Sequence, residues 1–88
     1  PAGLSFRGVY PNPFNPSTTL EFTLPAPAPV KLVIYSVTVQ RVATLVDGPM
    51  SAGNHTVIFD GSKQASGVYF YRFESGRLTR TGKMLLLK

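Results

Sequence analysis

His55 and the four acids Glu21, Asp47, Asp60 and Glu74 are the side chains of this 88-residue chain best suited to proton transfer near neutral pH. General acid–base or nucleophilic chemistry needs such a group beside a partner that orients it. Here the five fall in separate segments, and no nucleophile elbow of the GxSxG kind occurs. One histidine and no cysteine cannot assemble a zinc site. Asn12, Asn15 and Asp60 carry oxygens that a calcium ion would accept, but turns use the same residues, and the turn is the stronger reading. Asn54-His55-Thr56 has the form of a glycosylation acceptor, while Asn15-Pro16-Ser17 is excluded by its proline. A turn sequence explains the first as well. The expectation is a non-catalytic chain without metal or cofactor.

Aromatic rings are the other chemical resource, because sugars stack on exposed ones. The chain has 6 phenylalanines, 4 tyrosines and no tryptophan. Each such ring buries about 150–250 Å² when packed, so a core of this size consumes most of them. Core packing is therefore expected, with a carbohydrate-binding or structural accessory module of an extracellular enzyme as the alternative.

The net charge of +5 raises nucleic acid as a partner. Its sources are dispersed along the chain as Arg7, Lys31, Arg41, Lys63, Arg72, Arg77, Arg80, Lys83 and Lys88, and only the last four cluster. No basic helix or RNA-binding aromatic motif accompanies them, so nucleic-acid binding is not expected. The opening PAGLSFRGVY lacks the pattern of a signal peptide. Its missing initiator methionine is read as the mark of a piece of a larger protein. No apolar run approaches the roughly 20 residues of a membrane-spanning helix, and a soluble monomer without membrane insertion is expected.

The elements that must position these side chains are short. YPNPFNPS, Tyr10 to Ser17, can be neither helix nor regular strand. Its prolines lack amide hydrogens and push Tyr10, Asn12 and Asn15 out of the helical region. The result is a stiff loop with one apolar anchor, Phe14. Before it, Leu4 to Val9 reads as an opening strand. After it, Thr18 to Leu24 alternates, with Leu20, Phe22 and Leu24 on one face. PAPAP then interrupts the chain. Val30 to Tyr35 is a β-branched run with Val30, Leu32 and Ile34 opposite Lys31. Gln40 to Val46 is expected to end at an Asp47-Gly48-Pro49 turn. Asn54 to Asp60 has Val57 and Phe59 inward, and Gly67 to Ser75 has Tyr69, Tyr71 and Phe73 inward. Ser75-Gly76 turns into a last strand, Leu78 to Lys88.

Seven short strands at spacings of roughly 8–12 residues, without a helix, indicate an all-β antiparallel sandwich. An immunoglobulin-like arrangement is expected over the whole chain as one domain, although the Cys–Trp–Cys pattern of antibody domains is missing. A small barrel is the alternative.

These residues resemble a known family from Leu4 to Lys88. YPNPFNPSTTLEFTLP, VKLVIYSVTVQRVATL, AGNHTVIFDG, ASGVYFYRF and TGKMLLLK are together similar to the C-terminal sorting domain (type A) of the type IX, or Por, secretion system. The resemblance implies an immunoglobulin-like sandwich at the end of a larger secreted protein. It implies passage of an attached N-terminal cargo through the periplasm and across the outer membrane of a Gram-negative, Bacteroidetes-type bacterium. Its implied partners are the outer-membrane translocon and a sortase-like peptidase that removes the domain as the cargo joins the cell surface. Similar sandwiches occur in flagellar hook-capping proteins, so fold does not carry this function alone.

Two departures stand out. Ser36 and Val39 occupy places where the family usually has Asp or Asn and Gly, so that hairpin is expected to be longer or bulged; Phe59 stands where tryptophan is common. Pro11, Asn12, Pro13, Phe14, Asn15, Pro16, Gly67, Val68 and Tyr69 match family motifs and are assigned structural roles, with Phe14 closing one end of the core. Translocon recognition is assigned to Lys83, Met84, Leu85, Leu86, Leu87 and Lys88. That assignment rests on an edge strand with free backbone groups, Lys83, Leu85 and Leu87 pointing one way and Met84, Leu86 and Lys88 the other. The plainer reading is that Leu85 and Leu87 close the core and the lysines discourage edge aggregation.

Overall fold

A computed structural model describes residues 3–88. Seven strands form: β1 (Ser5–Tyr10), β2 (Ser17–Leu24), β3 (Ala28–Ser36), β4 (Arg41–Met50), β5 (Gly53–Asp60), β6 (Gly67–Ser75) and β7 (Leu78–Leu86). They make two antiparallel sheets, one ordered β1-β2-β5 and the other β4-β3-β6-β7. An immunoglobulin constant-type sandwich keeps its fourth strand with the first, second and fifth. In this chain the fourth strand belongs to the other sheet, and the sandwich is immunoglobulin-like in that variant form. The expected all-β sandwich is what the chain adopts.

The period-two patterns define the core. Leu20, Phe22 and Leu24 of β2 and Phe59 of β5 face Val30, Leu32 and Ile34 of β3, Tyr69 and Phe73 of β6, and Met84 and Leu86 of β7. Each of these is buried. Aromatic rings link the layers: Phe22 lies 4.9 Å from Phe73 between centroids, and Phe6 lies 4.8 Å from Tyr71 and 5.2 Å from Phe73. Such offset and tilted pairs add to plain area burial. The Tyr69 hydroxyl donates to the Ala65 carbonyl at 2.6 Å, four residues upstream, which is the tyrosine-corner bond of immunoglobulin-like folds.

Three sequence expectations need correction. Asp47-Gly48-Pro49 is not a turn: β4 runs on to Met50, with Asp47 opposite Lys31, Gly48 opposite Val30 and Pro49 opposite Pro29. β4 is an edge strand, so a proline that donates no ladder bond is tolerated there. The PAPAP break is shorter than its prolines suggest, because Ala28 and Pro29 already belong to β3. In the last strand Met84 and Leu86 close the core, whereas Leu85 is half-buried and Leu87 is 50% exposed. Alternation was read correctly there, but its inner and outer faces were exchanged.

The β3–β4 hairpin is bulged. Register slips between Leu32 and Val33 and between Ile34 and Tyr35. At its tip Val39 has φ 62°, and its amide donates to the Ser36 carbonyl at 2.9 Å. A β-branched residue in the left-handed region is strained.

Candidate recognition site

The proline loop and the last strand, the two most distinctive motifs of the sequence, meet in space. Proline leaves carbonyls but no amides, and the loop is tied accordingly. Thr18 Oγ1 donates to the Pro11 carbonyl at 2.7 Å, and the Gly61 amide donates to the Pro16 carbonyl at 2.8 Å. Between those anchors Asn12 and Phe14 run along the edge of β7. The Leu85 amide donates to Asn12 Oδ1, and Asn12 Nδ2 donates to the Lys83 carbonyl, both at 3.0 Å. The Phe14 amide donates to the Leu85 carbonyl and the Leu87 amide to the Phe14 carbonyl, both at 2.9 Å. Phe14 and Leu86 thus form a parallel bridge.

Phe14 itself is 2% exposed. Its ring meets Phe59 edge-on at 5.9 Å, and it belongs to the cluster that contains Leu86. An apolar ring on a stiff loop is thereby packed between the sheets. Asn12 works as a surrogate peptide unit, its side-chain amide making the donor and acceptor pair that a neighbouring strand would make. Pro13 and Asn15 are exposed. Gly61 is packed tightly at the same end: a Cβ there would stand 3.0 Å from Leu86 Cδ2 and 3.1 Å from the Pro16 carbonyl oxygen.

The availability of the β7 backbone expected from sequence is therefore only partial. β7 lies at a sheet edge, but its outward groups at Lys83, Leu85 and Leu87 are largely occupied by the loop. The side chains of Lys83 and Leu87 remain exposed. Lys88 is tied back: its amide donates to Ser66 Oγ at 3.0 Å and its Nζ to the Ser62 carbonyl at 2.6 Å. Among the other motif residues, Gly67 opens β6, Val68 lies on the outer face at 36% exposure, and Tyr69 is buried.

The proton-transfer candidates stay apart. His55 faces the core edge, its ring 5.3 Å from Phe22 and its Nε2 2.7 Å from the Ser51 carbonyl. Asp60 Oδ1 accepts the Ser62 amide at 2.9 Å, and this bond, with Lys63 and Lys88 nearby, holds its carboxyl below the usual range. Glu74 pairs with Arg72 on the outer face of β6. Among the described residues no cluster of His, Cys, Asp or Glu is arranged to hold a metal ion. Of the aromatic residues only Tyr10 is fully exposed, at 77%, and one ring makes no platform for a sugar chain.

Sequence reasoning missed three packing residues here. Thr18 was assigned only to a strand, Gly61 only to a turn, and Gly82 only to the last strand and its family motif. A Cβ on Gly82 would clash with the hydroxyl and ring carbons of Tyr71, which cover that backbone. No local signal marks such a glycine, since its neighbour is supplied by the adjacent strand.

A two-sheet sandwich whose proline loop clasps its last strand is the class of protein that this geometry defines. The chain matches the model of the secretion-system C-terminal sorting domain over residues 8–87 and belongs to that family. It is therefore a C-terminal sorting signal of type IX secretion. No curated protein and no solved structure matches the chain.

Proposed function

We propose that this chain is the sorting module of a larger secreted protein, escorting a covalently attached N-terminal cargo through the periplasm and across the outer membrane. On this reading it catalyses nothing. The translocon recognises it, and a sortase-like peptidase removes it as the cargo becomes attached to the cell surface. The family match over residues 8–87 carries the reading. Scattered proton-transfer groups support a non-catalytic role, and the half-buried state of every aromatic ring on the surface except Tyr10 weighs against sugar binding.

Within the last strand, the outward side chains of Lys83, Leu85 and Leu87 are the features a translocon can read, since Met84 and Leu86 are buried and Lys88 is tied to the β5–β6 loop. Deleting Lys83 to Lys88 would also remove two core residues and both partners of Phe14, so it cannot separate signal from stability. The cleaner test substitutes Lys83→Glu, Leu85→Ser and Leu87→Ser together, behind a reporter in a type IX-competent bacterium. The expected outcome is a reporter held in the periplasm by a domain whose circular dichroism and unfolding remain those of a folded sandwich. Normal export of that variant moves the signal away from the last strand.

A further inference from the structure

The loop covers only the second half of β7. Outward backbone groups belong to the odd-numbered residues, as the bonds from Lys83, Leu85 and Leu87 to the loop establish, and β6–β7 register is unbroken from Gly67–Leu86 to Ser75–Leu78. Alternation along an antiparallel strand then points the amide and carbonyl of Thr81, and those of Thr79, away from the sheet. Among the described residues no backbone group pairs with them. Thr79 contributes only a carbonyl contact from its neighbour Arg80, at 3.1 Å.

We propose that Thr79–Lys83 is a docking edge for an extended acidic segment of a partner protein, which adds to the four-stranded sheet as an outer strand beside β7. Main-chain pairing supplies affinity in such strand addition, and pockets for alternate side chains supply selectivity. Both components are present. Thr81 borders an open cleft of about 440 Å³ on the outer face, lined also by Tyr35, Val39, Phe70 and Arg72, which offers an apolar seat next to the edge. The proline loop sets the limit of the docked strand, because pairing beyond Lys83 meets Asn12.

Charge selects the occupant. Arg77, Arg80 and Lys83 are exposed along this edge, and no acid occurs between Gly76 and Lys88. A second copy of the chain pairing antiparallel, Thr81 opposite Thr81, would bring Arg80 beside its own copy and Lys83 beside Arg77 on the diagonal, a crowding of like charge that disfavours it. Glutamates alternating with valines on an incoming strand reverse that sign, meeting Arg80 on one face while the valines take the cleft beside Thr81 on the other.

The test uses the purified domain and a capped peptide of alternating valine and glutamate, with binding read by fluorescence anisotropy and by backbone amide shifts. Thr81→Pro removes the outward donor and leaves the β6–β7 ladder intact, as edge positions allow. It is expected to weaken binding at least about tenfold, the effect of one well-made hydrogen bond together with a blocking ring. Arg80→Glu with Lys83→Glu is expected to abolish binding without a change of fold, and a valine–lysine peptide is expected not to bind. The amides that shift should be those of Thr79 to Lys83. Undiminished binding by Thr81→Pro overturns the proposal, as does equal binding of an all-glutamate peptide, which would reduce the effect to charge alone. So does failure of the valine–glutamate peptide to bind, or a dimer through β7 that excludes it. None of these readouts depends on secretion.

Discussion

Asn12 lies against Leu85 as one strand lies against another, although 73 positions separate them: the Leu85 amide donates to Asn12 Oδ1 while Asn12 Nδ2 reaches the Lys83 carbonyl. A side-chain amide is isosteric with a peptide group, so the loop can cap an edge where proline would otherwise leave no donors. Asn12→Ala should lower stability by about 1–2 kcal/mol, the net worth of two hydrogen bonds, in urea titration. Asn12→Asp should be worse than its small change in size implies, because a carboxylate cannot donate to the Lys83 carbonyl. An unchanged midpoint for both would mean that water replaces the clasp without loss.

Phe14 is the buried counterpart of that clasp. Phe14→Ala should cost about 3–5 kcal/mol, as buried phenylalanine truncations do. Phe14→Leu, which keeps most of the volume, should cost less than about half as much. If Phe14→Ala shifts the denaturation midpoint no more than a surface change would, about 0.5 kcal/mol, the ring does not fill the core in solution.

Val39 offers a change in the opposite direction. At φ 62° it holds a conformation that costs about 1–2 kcal/mol for residues with a Cβ, against about 0.5–1 kcal/mol of extra chain entropy lost by glycine. Val39→Gly should therefore be neutral to stabilising by about 1 kcal/mol, and its thermal midpoint should rise. A clear fall in midpoint would show that the exposed isopropyl group packs on its neighbours.

Asp60 makes stability depend on acid. Its folded carboxyl is held below the ordinary value by the Ser62 amide, then by the Ser62 side chain and the two lysines. The stability it contributes is present above the unfolded pKa of about 3.9 and is lost as pH falls through the lower folded value. Asp60→Asn should flatten the pH dependence of unfolding below about pH 4 and leave neutral-pH behaviour little altered, as measured by thermal melts across pH 2–7. A wild-type slope retained in Asp60→Asn would assign the acid sensitivity to other carboxylates.

What the sequence made legible was whatever repeats with period two. Leu20, Phe22 and Leu24 declare their face because burial selects residue type at every second position, while Tyr69, Tyr71 and Phe73 are told from Val68 and Phe70 only by the charge on Arg72. β7 was harder: MLLLK is apolar on both faces, so nothing local distinguishes Met84 and Leu86 from Leu85 and Leu87. Asp47-Gly48-Pro49 carries strong turn signals, and they were overridden because an edge strand has no outer partner to miss the proline amide. The loop's rigidity could be read from its prolines and its anchor from Phe14. Its use of Asn12 as a strand mimic could not, since that depends on residues more than seventy positions away.

The loop–β7 clasp also imposes an order in time. Residues emerge from the ribosome amino end first, so β1 and YPNPFNP are made early and β7 after every other strand. Until Lys83 to Leu87 exist, Asn12 has nothing to pair with and Phe14 has no Leu86 to rest on. Neither end of the chain can complete its part of the sandwich alone. Closure of this kind, between distant segments, belongs to the slow, millisecond-to-second regime of non-local β folds. The nascent domain therefore stays open until synthesis has passed its last strand, and the clasp is the step that registers arrival of its C-terminal segment.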